Sequence, residues 1–474
     1  MLFDTSPDLA LLSQSLAQRD ASWRCGIGEG QSVSTEPLPR TTIWARVKST
    51  VRRERKALAN EFIEPPDRPI RDDVRDQRFL RAIGVGLCAF FVSRLCVIAG
   101  AGVRAAQRVV DVRKDNQAGN FDEVVPSAGT TISNVLTSWD GRWYLEIVRN
   151  GYPNNIPDNI TYEQLEARAA FFPVYPWLIR AVDFVLPGGD TLAALFTNFV
   201  LGALSVVLIG LLARRLFTVA VAARTMTLYS VFPGSFVLSF AYAEAAFIVL
   251  AALCLLFLVE ERWLLAGLAA ALGTGTRPNG LALIAACAVA SALAIRRRGD
   301  WMSLTSVALA PIGFIGFQLY IDAQVNEQGA WFRVQREAWS EGASFGATAV
   351  TNTLNFVTSP FTSPAEALTA LTLVTMLAML WCLWKRHLPL PIVAFIAVVI
   401  ALMLIPETVT ARPRFLFTAF PLFIAVGAWW PEPAVDSEQH RAGWDRAGWD
   451  FMLLLAGAGL ASLTGLYGVF GAIP

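Results

Sequence analysis

The chain has 474 residues, of which 54% are hydrophobic and only 16% are charged, and its formal net charge is +1. A soluble domain of ordinary composition carries about 25% charged residues, so these values argue against a soluble globular protein. A nearly neutral chain also gives no sign of a nucleic-acid or other polyanionic partner. The six cysteines and two histidines show no metal-ligand spacing, which leaves acid–base chemistry to the carboxylates.

The first 79 residues are polar, carry mixed charge and contain no apolar core of the signal-peptide type. We predict that residues 1–79 form a largely disordered cytosolic tail with a short helix near residues 43–60. Residues 80–474 form the predicted transmembrane domain, because apolar runs of about 17–25 residues, the length that crosses a bilayer core, recur through them.

The predicted fold is all-α, with eleven transmembrane helices and two long loops. Twelve Lys or Arg residues within 40–81 place the N-terminus on the cytosolic side. The alternation of later basic clusters then puts residues 104–189 and 322–364 on the extracytoplasmic face, with amphipathic helices at the bilayer surface. The predicted spans lie near residues 82–103, 190–213, 222–239, 240–259, 262–276, 279–296, 301–321, 365–384, 388–406, 414–431 and 451–472.

The first loop contains the most informative motif, SWDGRWYLEIVRNGYP at residues 138–153. On a helix, Asp140 and Tyr144 share one face, and Trp139 and Trp143 share another. The acid therefore lies among aromatic rings, which suit sugar rings, and a carboxylate half-shielded from water can act as a general base. The alternative is an interfacial helix whose aromatic residues anchor it and whose Asp is only an N-cap.

Further charged residues lie at the outer ends of predicted spans. Glu244 begins an apolar span, and the motif TGTRPNGL puts Arg277 and Asn279 at the break of a helical hairpin. A carboxylate there is costly unless it faces a cavity or a partner, and an Arg fork matches phosphate oxygens. Arg412 and Arg414 form an outer basic cluster, which suits a lipid phosphate. The alternatives are snorkelling side chains and a purely structural break.

The motifs resemble those of the GPI mannosyltransferase II family (phosphatidylinositol-glycan class V) within the GT-C superfamily. The resemblance covers residues 138–281 and rests on Trp139–Asp140, Gly151–Tyr152, FFPVYP at 171–176, a PG…YAEAAF block at 233–247 and TGTRPNGL. It implies a GT-C type fold and inverting transfer of mannose from a polyprenyl-phosphate or dolichyl-phosphate carrier. The chain departs from the family at Pro278, where Ser is frequent, and at residues 141–143, which leaves the acceptor open.

The combined prediction is a multi-pass membrane mannosyltransferase that works at the extracytoplasmic face of the cell membrane. Its partners would be the polyprenyl-phosphate-sugar donor, membrane lipids and a lipid or glycan acceptor. In this prediction Asp140 is the general base, and the substrate-binding residues are Trp139, Arg142, Tyr144, Glu244, Arg277, Asn279, Arg412 and Arg414. No cofactor is expected, a divalent metal is left open, and the sequence indicates no oligomeric state.

Three alternatives remain at this point. A transporter or flippase of a lipid-linked sugar would also need charged residues and broken helices within the membrane. A GT-C transferase could use another sugar, and an inactive homologue could serve as a scaffold for another transferase. The chain shows no internal repeat between its two halves, which counts against the transporter.

Overall fold

The computed structural model describes residues 70–119, 124–360, 362–408, 410–431 and 439–469. Most of the predicted N-terminal tail, including the predicted helix near residues 43–60, lies outside these residues. The last part of that stretch, from residue 70, is helical and packs on the transmembrane helices. In it Asp73 is buried and pairs with Arg215, whose Nη1 lies 2.8 Å from the carboxylate.

The described residues contain nineteen α-helices, numbered in chain order. The first eight are α1 Ile70–Arg75, α2 Gln77–Gln117, α3 Ala128–Leu136, α4 Asp140–Asn150, α5 Val174–Val185, α6 Asp190–Leu216, α7 Val219–Val231 and α8 Glu244–Val259. The next six are α9 Trp263–Thr274, α10 Leu281–Arg298, α11 Leu304–Leu309, α12 Ile312–Val325, α13 Ala330–Ala338 and α14 Ala347–Thr358. The last five are α15 Pro364–Lys385, α16 Leu390–Leu404, α17 Pro413–Thr418, α18 Pro421–Trp429 and α19 Gln439–Tyr467. Short 3₁₀ helices occupy Leu165–Ala170, Pro233–Leu238, Pro278–Gly280 and Trp301–Ser303.

The prediction of an all-α polytopic membrane protein is confirmed. The described part of the chain has no β-strand, and its single β-bridge joins Ala343 to Pro406. Among the residues that the structure describes, six helical segments are long and apolar enough to cross a bilayer. They are Gln77–Gln117, Asp190–Leu216, Pro278–Arg298, Trp301–Val325, Pro364–Lys385 and Asp445–Tyr467.

The other predicted spans overlap apolar helices that are too short to cross a bilayer alone. Four of them have 10–17 residues: Val219–Val231, Glu244–Val259, Trp263–Thr274 and Leu390–Leu404. At about 1.5 Å per residue they fall short of the roughly 30 Å hydrocarbon core. The count of eleven spans therefore stays a prediction. Helix breaks at membrane depth are tolerated where the backbone is buried in protein or lines a cavity.

The break predicted between α9 and α10 lies where the sequence placed it. Thr274 ends α9, and the 3₁₀ turn Pro278–Gly280 leads into α10. Gly280 passes so close to α9 that a Cβ atom would lie 2.4 Å from the Cα of Thr274, so only glycine fits. Arg277 immediately precedes this turn, which holds it at the end of the hairpin.

Arg94 lies within the first span, where a charged side chain is costly. Its guanidinium donates to the serine hydroxyls of residues 93, 235 and 239 and to the carbonyls of Ser230 and Ser235, at 2.8–3.3 Å. These bonds tie α2 to the 3₁₀ segment that follows α7. Arg94 thus has a structural role in the bundle.

Candidate active site

A cavity of about 560 Å³ is enclosed by segments that are far apart in the sequence. Its walls come from the start of α4, the loop before α5, the break between α9 and α10, helix α13 with the loop after it, the end of α16, the start of α17 and the end of α19. A cavity of this size, mostly apolar and with a few convergent polar groups, is typical of a ligand site.

Asp140 lies on the cavity wall because α4 begins there. The helix is anchored by its apolar side, where Trp143, Tyr144 and Ile147 are buried. Arg414, from the start of α17, donates from Nη1 to Oδ2 of Asp140 at 2.8 Å. About 20% of the Asp140 side chain remains exposed, and it is exposed to the cavity.

Arg277 also lines the cavity and forms an ion pair with Glu244 behind it. Glu244 begins α8 and is completely buried, while Arg277 is 7% exposed. A buried carboxylate is stable only when it is paired or hydrogen-bonded. A guanidinium carries five N–H donors, so one carboxylate leaves some of them to face the cavity.

Asn279 and Thr418 connect the helix break to α17. The Asn279 amide donates to the Thr418 hydroxyl at 3.0 Å, and Asn279 also lines the cavity. This bond links the segment that carries Arg277 to the segment that carries Arg414. The bond therefore connects the two segments that bring the cations to the cavity.

Aromatic rings form the side of the cavity next to Asp140. The ring of Tyr144 meets Phe171 edge-on with centroids 5.0 Å apart, and Trp339 contacts both Tyr162 and Phe171 at 5.4 and 5.7 Å. Burial raises the pKa of Tyr162, and the negative charge of Asp140 raises it further. The Tyr162 hydroxyl therefore stays protonated and can donate a hydrogen bond at neutral pH.

Three predicted site residues do not line the cavity. Arg142 is exposed and lies over the ring of Trp143, 4.9 Å from its centroid. Arg412 is buried and donates to the Ala365 carbonyl and the Thr369 hydroxyl at 2.9 and 2.7 Å. Glu244 lies behind Arg277 and reaches the cavity only through it. The other six predicted residues all contribute to the wall: Trp139, Asp140, Tyr144, Arg277, Asn279 and Arg414.

The sequence did not single out several residues of the wall, among them Gln335, Trp339, Glu341 and Tyr467. A signal was present in GAWFRVQREAW at residues 329–339, which carries Trp339 as well as two arginines. The arginines of this motif are the more obvious feature, but Arg333 forms an ion pair with Glu327 at 2.6 Å and does not line the cavity. Tyr467 carried no local signal, because only the tertiary fold brings the end of α19 to this place.

The arrangement can bind a substrate that has an anionic, an apolar and a polar part. The wall contains arginines, aliphatic residues from the end of α16, and a carboxylate with aromatic rings beside it. Within the described residues, no group of three or more His, Cys, Asp or Glu comes together as ligands for a metal ion.

Comparisons with known proteins give one family match and distant structural similarity. Residues 169–320 match the profile of the family described as dolichyl-phosphate-mannose-protein mannosyltransferase. A search of curated proteins finds no match. ArnT from Cupriavidus metallidurans, crystallised with bound undecaprenyl phosphate, is 15% identical over 69% of this chain and 71% of its own, with a TM-score of 0.43.

A second solved structure, the oligosaccharyltransferase from Archaeoglobus fulgidus tethered to an acceptor peptide, is 14% identical over 68% of this chain and 51% of its own, with a TM-score of 0.36. The family profile covers less than half of the chain. Similarity at this level leaves the function to be argued from the cavity itself.

Proposed function

We propose that this protein is a membrane glycosyltransferase that moves mannose from a polyprenyl-phosphate carrier to a lipid or glycan acceptor. The observation that carries the proposal is that Asp140, Arg277 and Arg414 share one cavity with aromatic rings and aliphatic side chains. A lipid-linked sugar has matching parts: a phosphate, a sugar ring and a prenyl chain. The family profile matched by residues 169–320 supports this donor class.

The donor fits the half of the cavity that contains Arg277. Leu402, Met403 and Phe415 offer an apolar surface to the first prenyl units. The planar fork of Arg277 binds the phosphate, and Glu244 behind it fixes the guanidinium. Negative charge grows on this phosphate as the glycosidic bond breaks, so a cation that is already in place stabilises the transition state.

The acceptor fits the half that contains Asp140. Its hydroxyl attacks the anomeric carbon from the side opposite the phosphate, and the bond from that carbon to the phosphate oxygen breaks. Asp140 accepts the hydroxyl proton, and the electron pair of the broken bond leaves with the phosphate. Attack from the opposite side inverts the anomeric configuration. Arg414 holds Oδ2 of Asp140 at 2.8 Å and so aims the carboxylate at the incoming hydroxyl.

The proposal also specifies the sugar, which is mannose, and the side of the membrane, which is the extracytoplasmic face. The sugar is supported by the resemblance of residues 138–281 to GPI mannosyltransferase II and by the description of the matched family profile. The location is supported by the basic residues of the sequence, which favour a cytosolic N-terminus. Under that topology the loops that carry Asp140 and Trp339 lie outside the cytosol.

A transfer assay tests the proposal. Purified full-length protein is incubated with radiolabelled polyprenyl-phosphate mannose and a lipid extract of its host cells. We expect the label to appear in a new glycolipid or lipid-linked glycan. Asp140→Asn should lower the rate by about 10²–10⁴-fold, the usual contribution of a general base. Asp158→Asn, at an exposed position away from the cavity, is the matched control and should transfer normally.

Two results would contradict the proposal. Movement of the labelled lipid across a vesicle membrane without a new product would indicate a flippase. Equal transfer by the Asp140→Asn and Asp158→Asn proteins would remove Asp140 from the chemistry. Parallel incubations with other polyprenyl-phosphate sugars decide whether mannose is the sugar.

A further inference from the structure

We infer that the C-terminal end of α19 is a positioning device for the active site, because the backbone carbonyl of Tyr467 holds the indole of Trp139 and thereby fixes Asp140. The inference rests on the proposed function for the role of Asp140. Its structural part concerns the corner at the start of α4, which is made of Ser138, Trp139 and Asp140. Three features of this corner and of α19 support the inference.

The first feature is the backbone of Trp139. Its φ of 56° and ψ of −120° lie in a region that favours glycine, and a large side chain there is strained. Two hydrogen bonds close the corner: Gly141 N–H donates to the Ser138 carbonyl at 3.2 Å, and Arg142 N–H donates to the Trp139 carbonyl at 3.0 Å. A strained backbone persists only when surrounding contacts hold it, so something must hold Trp139.

The second feature is the contact that holds it. The Trp139 Nε1–H donates to the Tyr467 carbonyl oxygen at 2.8 Å. Tyr467 is the last residue of α19, and the last four carbonyls of a helix have no partner within the helix. The indole therefore satisfies a carbonyl that would otherwise need a partner, and the bond joins residues 328 positions apart in the sequence.

The third feature is the rigidity of the end of α19. The Arg104 guanidinium donates from Nε to the Gly468 carbonyl at 3.0 Å, and the Tyr467 ring packs on Phe236 with centroids 4.4 Å apart. Along the same pair of helices, Gly100 of α2 passes so close to α19 that a Cβ atom would lie 2.2 Å from the Ala461 carbonyl oxygen. The carbonyl that receives the indole is thus fixed to the first span.

These contacts add a role for Trp139. The sequence predicted that Trp139 binds substrate, and Trp139 lines the cavity while its indole N–H donates to Tyr467. Asp140 follows at the first position of α4. The direction of its side chain depends on the backbone angles φ and ψ of Trp139. Trp139 is therefore a positioning residue that acts through Asp140, and α19 is a part of the active site although it carries no catalytic group.

The test removes the indole N–H and keeps an aromatic ring. Trp139→Phe is compared with Trp263→Phe, which removes a matched bond of 2.8 Å, from the Trp263 indole to Asp300, away from the cavity. Hydrogen–deuterium exchange on the full-length proteins reports the corner directly. Residues 138–150 should exchange about tenfold faster in Trp139→Phe and unchanged in Trp263→Phe. Equal exchange of this segment in both variants would overturn the inference.

Transfer kinetics test the catalytic part. A displacement of about 1 Å can cost about a hundredfold in rate, so we expect kcat to fall by about that factor in Trp139→Phe, with the donor KM within about twofold of the native value. A raised KM with an unchanged kcat would show direct substrate binding and contradict positioning. If the native protein transfers nothing, the proposed function fails, and the exchange experiment still decides whether Tyr467 holds the corner.

Discussion

At the scale of single residues, two ion pairs organise the site. Asp140 pairs with Arg414 on the cavity wall, and Glu244 pairs with Arg277 behind it. The pairs differ in burial, because Glu244 is completely buried and Asp140 keeps about 20% of its side chain exposed. The deep pair therefore has a structural role besides the phosphate binding that we propose for Arg277, and in the same proposal the shallow pair meets the acceptor.

The deep pair gives the first prediction. Replacing one member of a buried pair leaves an uncompensated charge and typically costs about 3–5 kcal/mol. We expect Glu244→Gln to lower the unfolding free energy by about 3 kcal/mol, since the amide keeps the shape but not the charge. The double variant Glu244→Gln with Arg277→Gln should recover most of this loss and remain inactive. Thermal unfolding and the transfer assay measure the two effects separately, and strictly additive losses would contradict the pairing.

Sequence reasoning reached part of this site and missed the pairing of Asp140. The acid after Trp139 and the arginine before Pro278 could be found from the cost of placing charge beside a membrane and from the resemblance. The partner of Asp140 could not, since Asp140 and Arg414 are 274 positions apart in the sequence and no spacing rule relates them. Trp339 and Tyr467 were missed for the same reason.

At the scale of elements, the start of α17 separates two arginines that the sequence grouped together. Arg412 precedes the helix, is buried and binds α15 through Ala365 and Thr369. Arg414 lies within the first turn and faces Asp140. Arg412 has an extended backbone (φ −105°, ψ 150°) and Arg414 is helical, so their side chains leave the chain in different directions; one arginine stabilises the fold and the other reaches the cavity.

The different roles of Arg412 and Arg414 predict that substitutions at the two positions affect different properties of the protein. Hydrogen bonds that involve a charged group contribute about 1.5–3 kcal/mol each, so Arg412→Met should lower the unfolding free energy by about 2 kcal/mol or more and leave the donor KM unchanged. Arg414→Met should lower kcat by about tenfold or more, because Asp140 loses its orienting partner. Thermal unfolding and steady-state kinetics on both proteins provide the comparison. A donor KM that rises in Arg412→Met would place that residue at the phosphate instead.

At the scale of the whole molecule, the cavity depends on contacts along nearly the entire described chain, from Trp139 to Tyr467. Apolar runs and basic clusters were enough to predict an all-helical membrane protein and the break at Pro278. They were not enough for the short helices, because segments such as Glu244–Val259 depend on tertiary packing for their ends. Their packing brings the loops together around the cavity.

The proposed topology predicts which residues each side of the membrane exposes. In sealed right-side-out vesicles, a membrane-impermeant thiol reagent should label Asp158→Cys at once. Arg296→Cys, at the end of α10, should react only after the vesicles are opened, since basic residues concentrate on the cytosolic side. Both positions are exposed in the structure, so differences in burial do not confuse the comparison. The reverse labelling pattern would place the cavity on the cytosolic side.

The central claim is that Asp140 and Arg277 open onto one chamber and act on opposite sides of a breaking sugar–phosphate bond. An experimental structure of the full-length protein in lipid, bound to a polyprenyl-phosphate sugar or to polyprenyl phosphate, tests it most directly. We predict the phosphate within hydrogen-bond distance of Arg277 and the sugar end of the chamber next to Asp140. A phosphate bound outside this cavity, or a bound state in which the two side chains face separate spaces, would contradict the claim.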